Sequence, residues 1–120
     1  MIIAKELSKQ RILTAIADPY SRRILVASIQ NSVSALELSV ECGIPITTVY
    51  RRIEELVQAG LVAAVKASRT KEGKWLELYR CLVKRIDISL ENGTLFVGIV
   101  TDDKFPEKFT HKLMICNPTS

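Results

Sequence analysis

The sequence predicts an α+β fold, helices first and strands after, and three observations carry that prediction. Apolar residues recur at helical spacing up to about Ala59, punctuated by Asp18-Pro19, Gly43 and Gly60. Beyond Gly60 the composition turns β-prone, in runs separated by polar turn residues. One of those turns is Asn92-Gly93, the strongest two-residue hairpin signal.

Each element follows from local chemistry. Lys5 to Ala17 places Ile12, Leu13 and Ile16 on one helical stripe, with Leu7 a turn earlier. Asp18-Pro19 ends that helix and opens the next, because Asp caps well and Pro fits a first turn. The second helix is expected from Pro19 to about Gln30, with Ile24, Leu25, Ser28 and Ile29 along one stripe and Asn31-Ser32 after it. Ser34 and Glu37 have capping-box spacing and open a short third helix, stopped by Gly43. Ile44-Pro45 starts a fourth, expected to reach Ala59 before Gly60 closes it. Two helices joined by a short Gly-containing turn make a helix-turn-helix.

Leu61–Val65 and Trp75–Tyr79 read as strands around a polar tip, Ser68 to Lys74. Leu82–Leu90 and Thr94–Val100 read as a second hairpin about Asn92-Gly93. The full expectation is a winged helix-turn-helix of three to four N-terminal helices and a β-wing, with a C-terminal β-hairpin extension. Residues 1–82 would form the winged unit. Residues 83–120 would form a hairpin and tail, packed on the same domain or at a dimer interface.

Composition narrows the function. An apolar share of 48% with 25% charged residues is globular and argues against disorder. No apolar run approaches the roughly 20 residues of a membrane-spanning helix. Met1-Ile2-Ile3-Ala4 is too short for a secretory signal. Cys42, Cys81 and Cys116 are odd in number and never at CxxC spacing, which favours a reducing cytoplasm over a disulfide framework. Metal binding needs about four N/S ligands, whereas these thiols and His111 are scattered, so no metal or cofactor is expected. Cys81 with His111 as nucleophile and base has nothing else behind it, and no hydrolase elbow, P-loop or dinucleotide fingerprint occurs. An enzyme is not expected.

The formal charge is +4, and its distribution says more than its size. From Arg51 to Arg85 there are nine cations against four anions, so the excess lies on the fourth helix and the wing. On that helix, 100° steps set Val49, Ile53, Leu56 and Val57 to one side, with Ile46 at the margin. Thr47, Arg51, Glu54 and Gln58 face the other way, flanked by Thr48 and Glu55, with Tyr50 and Arg52 on the borders. Thr can meet base edges or a thymine methyl, Arg can fork onto guanine, and Tyr can reach phosphate. A solvated face that merely carries Arg is the plainer reading. The capped helix before it and the basic hairpin after it tip the balance towards a major-groove reader.

Ala15-Ile16-Ala17-Asp18-Pro19-Tyr20-Ser21-Arg22-Arg23-Ile24-Leu25 resembles the start of the second helix in the arsenical-repressor-like (ArsR-like) winged-helix regulators. Glu37-Leu38 through Gly43-Ile44-Pro45, then Thr47 to Ile53, is similar to their helix-turn-helix, and Leu56 to Val62 to their passage into the wing. The resemblance covers roughly residues 10–80. It implies that Pro45, Ile46, Thr47, Thr48, Tyr50 and Arg51 read bases, with Arg52, Arg69, Lys71 and Lys74 as candidates for the DNA backbone. It also implies a homodimer on a two-fold symmetric DNA operator, blocking transcription until an effector releases it. Two departures stand out. The paired thiolates of metal-sensing relatives are reduced here to Cys42, and a β-hairpin replaces the usual dimerising C-terminal helix. The competing expectation is a winged-helix protein-interaction module of a larger assembly, without sequence-specific DNA binding.

Overall fold

A computed structural model describes residues 1–102. Strand β1 (Ile2–Ile3) leads into helices α1 (Glu6–Ala17), α2 (Pro19–Ala27), α3 (Ala35–Cys42) and α4 (Ile46–Gln58). Strands β2 (Val62–Arg69), β3 (Trp75–Cys81), β4 (Val83–Glu91) and β5 (Thr94–Thr101) follow. Apart from β1, helices precede strands, as the sequence predicts, and the architecture is α+β. Among the described residues no helix is long and apolar enough to cross a membrane.

The predicted punctuation marks sit where the helices change. The Asp18 carboxylate accepts the Ser21 amide at 2.8 Å and caps α2, with Pro19 in its first turn. Ser34 and Glu37 form a complete capping box on α3. Gly43 is left-handed (φ +65°), and the Ile44 amide donates back to the Ser39 carbonyl at 3.1 Å. That six-to-one bond closes α3 and fixes the turn into α4. Open space surrounds the place a Gly43 Cβ would occupy, so backbone conformation alone calls for glycine there.

Two boundaries differ from the sequence expectation. Helix α2 stops at Ala27, short of Gln30. The buried Ser28 hydroxyl donates to the Ile24 carbonyl at 2.8 Å, and the Ser28 carbonyl accepts the Cys81 amide at 3.0 Å. A distant strand therefore recruits the backbone that would have continued the helix. The wing strands are also longer than expected, so that Ser68 and Arg69 lie within β2. Side chains beyond Lys66 on β2 are exposed, and the ladder to β3 rather than apolar alternation defines that stretch.

The strands form two sheets. β2 and β3 pair antiparallel, with an irregularity between Ala64 and Lys66. Val33, in the α2–α3 connection, adds a one-residue third strand through two bonds with Tyr79, at 2.9 and 2.7 Å. The other sheet has the order β1-β5-β4. Its hairpin turns on Asn92 (φ +51°) and Gly93 (φ +79°), the paired positive values of a type I′ turn. Strand β1 was not predicted. Two residues are too few to show periodicity, and only the pairing of Ile2 with Ile99 and Ile3 with Gly98 makes them a strand.

One core joins the layers. Ile12, Ile24, Leu38, Val49 and Leu56 from the helices are fully or almost fully buried with Leu61 and Val62 at the start of the wing. Val83, Val97 and Ile99 of the second sheet belong to the same cluster. Each fully buried Leu, Ile or Val contributes roughly 1.5–3 kcal/mol, so this cluster fixes the relative positions of the helix-turn-helix and the strands.

Candidate nucleic-acid interface

Helix α4 buries Val49, Ile53 and Leu56 and presents its other side to solvent, as the helical wheel requires. Pro45, Thr47, Tyr50 and Arg51 are exposed in its N-terminal half. Thr48 and Ile46 are half-buried, and Ile46 packs against the core, so these two are less accessible than the other four base-reading candidates. Pro45 is the N-cap and offers no side-chain bond to the first-turn amides. A helix start without a side-chain cap keeps its N–H groups directed outward, where an anion is favoured.

Arg52 departs from its expected place on a DNA backbone. Its Nε donates to Asp18 Oδ2 at 2.9 Å and its Nη1 to Glu55 Oε1 at 3.3 Å, and the side chain is largely shielded. Burial alone would push the Asp18 carboxyl up. The Ser21 amide and the Arg52 guanidinium outweigh it and hold the group below the usual carboxylate range. Asp18 thereby serves two elements, capping α2 and orienting α4. This cation ties α4 to the start of α2 rather than extending freely from the helix.

The wing tip is built by its own backbone. The Thr70 amide donates to the Lys74 carbonyl at 2.8 Å, the Gly73 amide to Thr70 at 3.0 Å, and the Lys74 amide to the Thr70 hydroxyl at 3.1 Å. Arg69, Lys71 and Lys74 are exposed around it. The Arg69 guanidinium lies 5.1 Å from the centre of the Trp75 ring, within cation–π range, and also donates to the Gly73 carbonyl.

A crevice between α4 and β3 joins the two parts. Tyr50 lines it from the helix, with Trp75, Glu77 and Tyr79 from the strand. The Tyr79 hydroxyl donates to Glu77 at 2.7 Å. Burial, with the Glu77 bond and charge, pushes the Tyr79 phenol up to about 12, so it remains a donor across the physiological range. Sequence reasoning passed over these three strand residues. Their signal is the period-2 spacing of Trp75, Glu77 and Tyr79, which puts all three on the strand face towards α4.

The thiols are placed apart from this surface. Cys42, half-buried at the end of α3, is pushed up by burial and by Glu41; Cys81 is pushed up by burial in the core. Cys116 and His111 lie outside the described residues.

A family model described as a helix-turn-helix domain matches residues 16–65. The matched stretch runs from the end of α1 through α2, α3, the Gly43 turn and α4 into β2. It contains Thr47, Tyr50 and Arg51, while the wing tip and the β4–β5 hairpin fall beyond it. No curated protein matches the chain.

Proposed function

We propose that the protein is a sequence-specific DNA-binding transcriptional regulator of the arsenical-repressor-like kind. One observation carries the reading: Tyr50, in the exposed N-terminal half of α4, shares a crevice with strand β3 of a cationic wing. Thr47, Thr48, Tyr50 and Arg51 enter the major groove, with Pro45 and Ile46 at its approach. Arg69, Lys71 and Lys74 neutralise phosphates beside it, while Arg52 holds the helix from behind. Two copies bind a two-fold symmetric operator with half-sites about one helical turn apart. The protein works by binding and catalyses no reaction, in the cytoplasm.

The test is selection of genomic fragments by the purified full chain, followed by titration at two salt concentrations. Enrichment of a common sequence, with affinity falling steeply as salt rises, is the expected result. Equal affinity for random and selected DNA overturns specific regulation.

A second reading draws on apolar residues of α2 and α3. Val26 on α2 and Leu36 and Val40 on α3 are exposed apolar side chains on the helices before the turn. A protein-interaction module of a larger assembly would use such residues. Absence of DNA binding even at low salt, with a defined complex lost on Val40→Asp, would favour it.

A further inference from the structure

The β4–β5 hairpin exposes something the DNA-binding surface does not use. β4 is the outer strand of its sheet, with β5 on one side and no described strand on the other. Edges of this kind are usually blunted by charge, proline or cover. In β4 the residues that face away from the sheet's apolar side, Arg85, Asp87, Ser89 and Glu91, are polar and all but Ser89 are charged, while Ile86, Ile88 and Leu90 form an alternating apolar row. Ile88 and Leu90 remain 46% and 71% exposed.

The backbone of that row is directed outward. Asn92-Gly93 closes a two-residue turn between Glu91 and Thr94, so that pair bonds across the hairpin, as do Ser89–Phe96 and Asp87–Gly98 by alternation. The intervening pairs must direct their N–H and C=O groups away from each other. Val97, opposite Ile88, does so: its carbonyl accepts the Ala4 amide on the far side, at 2.9 Å. Leu95, opposite Leu90, likewise turns its carbonyl to Lys9 Nζ, at 2.8 Å. Ile86, Ile88 and Leu90 therefore aim their backbone groups at the open edge.

We infer that β4 pairs antiparallel with β4 of a second copy, with Ile88 on the two-fold axis. The register follows from side-chain chemistry. A two-fold axis perpendicular to the sheet keeps apolar residues opposite apolar ones only in alternate registers. Centring on Asp87 sets that carboxylate against itself, and centring on Ser89 sets Asp87 against Glu91. Centring on Ile86 lays Lys84 against Ile88. Centring on Ile88 places Ile86 against Leu90 and Arg85 against Glu91, on both sides of the axis. Each apolar pair is then also a hydrogen-bonded pair, and the two three-stranded sheets become one. The irregularity at Lys84 ends the pairing before it reaches the core. The proposal rests on the two-fold reading given above and supplies its surface.

The experiment is sedimentation velocity on the full chain with two charge reversals. Wild type is expected to be a dimer. Arg85→Glu alone and Glu91→Arg alone each set like charges together twice, and each should raise the dimer dissociation constant at least tenfold. An equimolar mixture of the two variants restores both pairs, so it should form a heterodimer near wild-type affinity. Ile88→Pro, which removes an edge-directed N–H without touching the β5 ladder, should also dissociate the dimer, with circular dichroism reporting that the fold is kept. A wild-type dimer indifferent to both reversals and to Ile88→Pro overturns this surface while leaving the two-fold reading intact. A monomer at all concentrations overturns both. DNA selection tests the regulator reading independently of either result.

Discussion

The two hairpins of this protein share a plan and differ in almost everything attached to it. The wing, β2–β3, has a five-residue tip from Thr70 to Lys74, braced by backbone bonds and surrounded by Arg69, Lys71 and Lys74. The second hairpin, β4–β5, turns on two residues, and its outer strand carries Ile86, Ile88 and Leu90 in alternation with charges of both signs. The longer tip sets Arg69, Lys71 and Lys74 against the single anion Glu72, and that cationic excess suits a polyanion. A tight turn locks register, and mixed charge on an open edge suits a partner of the same sequence. Backbone architecture alone does not separate the two hairpins; the side chains do.

The largest effect that would break the comparison is on the wing. Replacing Arg69, Lys71 and Lys74 together by Ala should weaken binding to all DNA and reduce the slope of log K against log salt by about 3, read by fluorescence anisotropy. The same triple change should leave the sedimentation coefficient of the free protein unaltered. Arg51→Ala should act on sequence instead, costing ~1–3 kcal/mol of discrimination between selected and random fragments, with the salt slope falling by at most about one.

Outside both hairpins, Asp18→Ala removes a helix cap and the partner of Arg52, and should cost about 1–2 kcal/mol in urea unfolding. The sign with pH is fixed by the lowered Asp18 carboxyl. Its contribution is present above the ordinary carboxylate range and is lost as pH falls through the lower folded value, so wild type and variant should converge in acid. Gly93→Ala places a side chain at φ +79° and should destabilise by about 1 kcal/mol, loosening β4–β5 while sparing the wing. Smallest of all, Glu77→Gln removes a negative charge from the crevice beside α4. It should raise DNA affinity by about twofold to threefold at low salt.

Much of this was legible from local chemistry. Asp18-Pro19, the Ser34–Glu37 box, Gly43, Gly60 and Asn92-Gly93 each set a boundary through their own neighbours, and each can be read without a fold. Three features could not, and all depend on distant residues. The short end of α2 needs the Cys81 amide, strand β1 needs Gly98 and Ile99, and the commitment of Arg52 needs Asp18. The candidate site shows the same split. Thr47, Tyr50 and Arg51 followed from helical periodicity, whereas the crevice lined by Trp75, Glu77 and Tyr79 appears only when β3 is laid beside α4.

The bond pair between Val33 and Tyr79 has a mechanical meaning. Val33 immediately precedes Ser34, the cap of α3, and Tyr79 sits midway along the outgoing wing strand. The wing is therefore riveted to the front of the helix-turn-helix through β3, where Tyr79 lies opposite Ala64, as well as through the chain connection at Gly60. A hairpin attached only through its ends could swing; this one is a strut. The gap between α4 and the base of the wing is set by the fold itself, and a ligand seated there has little ordering entropy left to lose.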